Sequence, residues 1–261
     1  MIKTLFYLFC LGLLVTSCVP TQDLVYLQNK DNNPIPAVNE LKNKPYRLQT
    51  NDVLSINIKA LDSKLVEIFN ATTTQTAQMM NQDVLYFSGY SIDDHGNIRM
   101  PILGEVNVLG FTVEEARKKI EERLLAEYFK KEAELFVTVK LAGFRYTVNG
   151  EVNSPGTRVL YQEKVNILEA VANSGDITVT GDRKDVKVIR QFPQGAETFS
   201  IDLTNANAMQ SPCYYLQPND YIYIKPLKQK TWGTGKTGIE SLSTIITILS
   251  LATTTFLLFK N

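Results

Sequence analysis

Residues 91–124 read SIDDHGNIRMPILGEVNVLGFTVEEARKKIEERL, and the fold is decided there. Asp93, Asp94, Gly96 and Asn97 are turn formers, so Asp93-Asp94-His95-Gly96-Asn97 predicts a hairpin turn. Past GEVNVLG at Gly104–Gly110, Thr112 and Glu115 have capping-box spacing. The helix that follows carries Val113, Ala116, Ile120 and Leu124 as one apolar stripe. The stretch is therefore strand, turn, strand and amphipathic helix in immediate succession.

The chain repeats this design. GEVNSPG at Gly150–Gly156 matches GEVNVLG, and Asn166 with Glu169 caps a short helix that stops at Gly175. YRLQTNDVLSI at Tyr46–Ile56 is matched by YYLQPNDYIYI at Tyr214–Ile224, each placing an Asn-Asp turn between alternating apolar stretches. Two α+β modules in series follow from these echoes, and the spacing is too irregular for a solenoid.

Composition agrees with a folded body. Hydrophobic residues make up 44% and charged residues 21%, too rich in core formers for disorder. With 27 basic and 27 acidic residues the net charge is zero, which excludes a basic nucleic-acid binder. A single histidine removes most histidine-based metal and general-base chemistry.

The N-terminal end is not globular. Lys3 precedes an apolar run, Leu5–Val15, too short to span a bilayer and suited to a signal-peptide core. Val15-Thr16-Ser17-Cys18 resembles the bacterial lipobox, in which the cysteine is lipidated and becomes the new N-terminus. The expectation is a signal peptide over 1–17, a lipid on Cys18 and a tether or strap over 18–45 with a short strand near Leu24–Leu27. An ordinary secretory signal with a chance cysteine is the alternative. Cys10 leaves with the signal, so Cys213 alone remains in the body, as a small buried hydrophobe.

Taken together, residues 91–124 resemble the signature stretch of the outer-membrane polysaccharide export proteins, the Wza-type capsule and exopolysaccharide exporters. The family pattern is an acidic-Gly turn, a strand with Pro, then "LG", "V", "G" and T-x-x-E-A. Tyr146–Ser174 is similar to that family's SLBB module, a β-grasp-like domain. The family's usual Gly-Asp is replaced here by Asn51-Asp52 and Asn219-Asp220. The resemblance implies an export domain over 46–144 with an insertion at about 61–87, and an SLBB domain over 145–227. It also implies a homo-oligomeric ring, an octamer, an inner-membrane copolymerase partner and a polysaccharide chain as cargo, in the bacterial outer membrane. No cofactor is expected beyond the covalent lipid on Cys18, no metal, and no catalytic residue.

A basic, Gly-rich collar over 228–238 leads to Ile239–Phe259 (IESLSTIITILSLATTTFLLF), read as a C-terminal transmembrane α-helix. At about 1.5 Å per residue it matches a hydrocarbon core of about 30 Å. Glu240, Ser243, Thr244, Thr247, Ser250 and Thr254 share one sector, with Leu242, Ile245, Ile246, Leu249, Ala252 and Phe256 opposite. Ser243, Thr247, Ser250 and Thr254 are the candidate pore-lining residues of a helix ring; a plain anchor whose hydroxyls bond to its own backbone is the competing reading. Lys225, Lys228, Lys230 and Lys236 before the helix, against Lys260 after it, disfavour the inner membrane under the positive-inside rule.

Several patterns invite chemistry that their context refuses. WGTGKT at 232–237 lacks a P-loop glycine at Lys230. The Asp93–Asn97 run holds the sole histidine and reads as a turn. Glu114-Glu115 and Glu121-Glu122 read as solvated helix faces, and Tyr214, Tyr215, Tyr221 and Tyr223 as cross-strand packing. The sequence points to a passive, non-enzymatic exporter lipoprotein. The alternative is a periplasmic scaffold lipoprotein that binds polysaccharide or a partner and is held by a plain C-terminal anchor.

Overall fold

A computed structural model describes residues 20–30, 45–61, 64, 66–70, 88–129, 134–192, 194–231 and 238–258. The signal peptide, Cys18, the polar run at 71–87 and the 232–237 segment lie outside the described residues. The chain divides into two compact units, residues 42–145 with 159–165, and residues 1–41, 146–158 and 166–261.

The first unit contains β1 (Val53–Lys59), β2 (Tyr90–Ser91), β3 (Asn97–Met100), β4 (Gly104–Asn107), α1 (Val113–Glu127) and β5 (Phe136–Leu141). β1 lies between β2 and β5 in an antiparallel sheet, with Leu54 opposite Leu141 and Lys59 opposite Phe136. β3 and β4 form a hairpin closed by residues 101–103, with Asn97 opposite Asn107, so the expected turn at Asp93–Asn97 is present but leads from β2 into β3. Asp93 shapes that turn by accepting the His95 and Asn97 N–H groups at 2.9 and 2.8 Å. The Thr112 side chain accepts the Glu115 N–H and Glu115 accepts the Thr112 N–H, so the predicted capping box is present. Ala116, Ile120 and Leu124 are fully buried and Val113 packs beside them. Full burial of a side chain like Ile120 or Leu124 contributes about 1.5–3 kcal/mol.

Part of the 61–87 stretch is built into this core. Val66 and Phe69 are buried, and the Phe69 ring meets those of Tyr128 and Phe129 at 6.0 and 5.6 Å. Asn70, whose side-chain amide matches a backbone donor and acceptor, caps β1 by accepting the Ile58 N–H and donating to its carbonyl at 3.0 and 2.5 Å.

A five-stranded sheet runs β7–β6–β10–β8–β9, with β6 (Phe144–Gly150), β7 (Gly156–Leu160), β8 (Val186–Phe192), β9 (Gly195–Ile201) and β10 (Tyr221–Ile224). β10 pairs parallel with β6 and antiparallel with β8. In the second unit Tyr146, Val148, Val186, Val188, Ile222 and Ile224 are buried, as are Ile167, Ala170 and Val171 of α2 (Ile167–Asn173). Asn166 and Glu169 form the second capping box.

The strap is no free tether over its described part. Thr21–Asp23 forms a 3-10 turn, and the expected strand reduces to one parallel bridge between Gln28 and Asn205. Leu27, at φ +51°, turns the chain out of extension there.

After α3 (Lys228–Thr231) comes α4 (Gly238–Leu258), a helix almost where the sequence placed it. Among the described residues, however, no helix is long and apolar enough to cross a membrane. The expected transmembrane span thus finds no support among the described residues, where Ser243, Thr247, Ser250, Thr253, Thr254 and Thr255 interrupt the apolar side chains of the helix.

Candidate functional site

Candidate residues fall at two places. Cys18, the lipidation candidate, lies outside the described residues. Ser243, Thr247, Ser250 and Thr254 all lie on α4 and are exposed. Three of these hydroxyls are occupied locally: Thr247 donates to the Ser243 carbonyl at 2.8 Å, Ser250 to the Thr247 carbonyl at 2.9 Å and Thr254 to the Ser250 carbonyl at 2.7 Å. Thr253 does the same with Leu249, on another side of the helix. Back-bonded hydroxyls leave each oxygen able to accept bonds at its two lone pairs from water or a neighbour. Ile246, Ile248, Leu249 and Leu251 are exposed at 57, 61, 38 and 70%, so no described residue covers the apolar side of α4.

The repeated Asn-Asp turn is a structural centre that its role as a mere turn did not disclose. Asn51 and Asn219 both adopt φ +68°, as the left-handed turn requires. Asp52 is 5% exposed and accepts the Gln49 N–H and the Tyr46 hydroxyl, each at 2.8 Å. Asp220 is 1% exposed and accepts the Gln217 N–H at 2.8 Å. Where Tyr46 serves the first turn, the guanidinium of Arg190 serves the second, bidentate at 2.9 and 2.8 Å. Burial pushes the Asp220 carboxyl up, opposed by Arg190 and the Gln217 N–H. The Y-x-L-Q-x-N-D echo was the available signal for both aspartates; nothing in the sequence pairs Arg190 with the second.

A carboxylate also ties the collar to the domain. Glu151, within the second GEVN, binds the Lys230 ammonium and accepts the Thr178 and Thr180 hydroxyls at 3.1 and 2.7 Å. Burial raises its carboxyl, but these partners outweigh burial and hold it below the usual range. Asp185 is held far lower, by Lys187, Lys225 and Ser200.

Other candidate chemistry does not assemble. Among the described residues no group of three or more His, Cys, Asp or Glu could hold a metal ion. Cys213 is fully buried beside Ser211 at 3.1 Å, and burial pushes its thiol up, away from nucleophilic use. Glu114 and Glu121 both bind Arg117, as a salted helix face. Tyr214 and Tyr215 meet edge-on at 5.2 Å, and Tyr221 accepts a hydrogen bond from Asn149 at 2.9 Å. The clefts over Arg99–Gly104 and over Phe111, Glu115 and Lys119 are open surface features.

Comparison with known proteins places these elements. Residues 40–141 match the family described as polysaccharide biosynthesis/export protein, and residues 145–224 match the SLBB domain. The chain is 31% identical over 207 residues to the EPS I polysaccharide export outer membrane protein EpsA of Ralstonia solanacearum, covering 75% of this chain and 52% of that protein. A protein of the same description from Ralstonia nicotianae is 30% identical over 174 residues, covering 62% of this chain and 42% of that protein. The chain thus spans about half the length of the curated relatives it matches.

Proposed function

The chain belongs to the polysaccharide export protein family, with export and SLBB domains in series, and from that membership we propose that it helps pass an exopolysaccharide or capsule chain out through the bacterial outer membrane. One observation carries this reading: both domains match in order, and the relatives the chain matches are named as outer-membrane export proteins. The function is passive and no catalysis belongs to it. Energy would come from synthesis and an inner-membrane copolymerase partner.

The finer reading is an oligomeric passage, an octameric ring by resemblance. Cys18 carries a lipid that holds each copy at the membrane, since several acyl chains hold firmly where one holds weakly. A single helix cannot enclose water, so this one would line a passage only in a closed group of copies, with Ser243, Thr247, Ser250 and Thr254 inward and residues such as Leu249 outward. The uncovered apolar side of α4 supports such packing. The back-bonded hydroxyls favour the second reading, a scaffold lipoprotein with a plain helical anchor, because satisfied hydroxyls require no water.

Cysteine scanning separates the two. With Cys213 replaced by alanine, cysteines at Ser243, Thr247, Ser250 and Thr254 should react with a membrane-impermeant thiol reagent, and one at Leu249 far less, because hydrocarbon suppresses thiol ionisation. Thr247→Trp should reduce surface polysaccharide at unchanged protein level. Equal protection of both faces would leave the scaffold reading. Cys18→Ala should abolish incorporation of a fatty-acid analogue; unchanged incorporation would remove the lipid from the proposal.

A further inference from the structure

Five residues beyond Cys18, the strap is fastened to one loop. Asp23 pairs with Lys184 at 2.6 Å. The Tyr26 hydroxyl donates to Asp176, and the Tyr26 ring lies 5.4 Å from the Arg183 guanidinium. Burial and Asp176 push the Tyr26 phenol up to about 12, so it stays a donor at any physiological pH. Arg183 is 6% exposed and donates to the Ile177 and Thr178 carbonyls at 2.5 and 3.1 Å, which stiffens the loop under the ring. Leu27 and Gln28 then donate their N–H groups to the Leu203 and Thr204 carbonyls at 3.0 and 2.8 Å. Lys30 closes the seat on the Thr204 hydroxyl at 2.5 Å.

The same loop grips the approach to the C-terminal helix. The Asp182 N–H donates to the Lys225 carbonyl at 2.9 Å, Gly181 bridges to Pro226, and the Leu227 N–H donates to the Thr180 carbonyl at 2.8 Å. Thr178 and Thr180 hold Glu151, which holds Lys230. Segments far apart in sequence therefore leave the SLBB domain from one bracket.

We propose that the loop Asp176–Lys184 is a binding site for this chain's own N-terminal strap, seating the anchor residue beside the collar so that the lipid and the helix meet one membrane surface. The proposal rests on the lipidation reading for its membrane consequence alone. A free chain over residues 18–45 would let the lipid roam by about 30 Å. Seated at Asp23, Cys18 can reach no more than about 18 Å from that point. Two attachments that leave the same loop set the domain's tilt against the membrane, where a loose tether would only keep it nearby.

Pulsed electron-spin distance measurement on the full chain in detergent tests the seat. Spin labels go at Gln22→Cys and Lys228→Cys, with Cys213→Ala as background. A narrow distribution centred within about 30 Å is expected, from the reach of the intervening contacts. Tyr26→Ala and Lys184→Glu should each broaden it severalfold, and Asp23→Lys combined with Lys184→Glu should narrow it again. A broad distribution in the parent, an unchanged one in both single variants, or a charge swap that fails to restore it would overturn the proposal. Label beyond the two introduced sites would mark a free Cys18 thiol. That outcome removes the lipid reading and with it the membrane consequence, while the distances still support or overturn the seat.

Discussion

Gly104 and Gly150 stand at the same place in the repeated GEVN sequence and obey different constraints. Gly104 has φ +71° and open space where a Cβ would sit. Gly150 has φ +94°, and a Cβ there would lie 1.9 Å from the Ile224 carbonyl oxygen. Gly104→Ala should therefore cost only the left-handed penalty of about 1–2 kcal/mol. Gly150→Ala should cost more than about 3 kcal/mol, because β6 and β10 must part, and urea titration of both variants compares them. At the second Asn-Asp turn, Arg190→Leu strands a buried Asp220 carboxylate and should cost about 3–5 kcal/mol; a loss under about 1 kcal/mol would mean that the Gln217 N–H suffices. Asp185 gives a pH dependence of definite sign. Its carboxyl is held well below the usual range in the folded state, so its stabilisation is full above about pH 4 and is lost as pH falls through the folded value. The Asp185→Asn variant should melt lower than the parent at pH 7, by the equivalent of about 1 kcal/mol for a partly solvated pair, and converge with it in strong acid.

The two helices that carry capping boxes were readable because a cap is local. Thr112 with Glu115 and Asn166 with Glu169 need only three-residue spacing and a following apolar stripe. Thr112→Ala and Asn166→Ala should each cost about 1 kcal/mol, the first acting on the unit containing α1 and the second on the one containing α2. Hydrogen exchange that resolves the two helices would assign each loss to its own unit. The helix α4 was legible as a helix for the same local reason. Its relation to a membrane was not, since length and period say nothing about what covers a helix. Ile248 and Leu251 remain exposed at 61 and 70%, so its environment must come from outside the described chain.

At the scale of the molecule, the strap couples a remote segment to one domain. Deleting residues 20–30 should lower the melting of the unit containing β8 and α2 and leave that containing β1 and α1 unchanged; equal shifts in both would show that the strap acts elsewhere. By itself the sequence determined the α+β modules in series, the Asn-Asp turns, both helix starts and the lack of a sequence pattern for catalysis. Each of these depends on neighbours within a few residues or on composition, which a chain carries whether folded or not. Only the tertiary structure decided that Val66 and Phe69 belong to a core and that Arg190 completes the Asp220 turn. It alone made the tether a seated strap, with Tyr26 on Arg183 and Asp23 on Lys184. Those pairs lie 30 to more than 150 residues apart, and no periodicity or spacing specifies a partner at that separation. The side chains meet because β10, β8 and the 176–184 loop bring their backbones together, and the charges are then chosen by proximity.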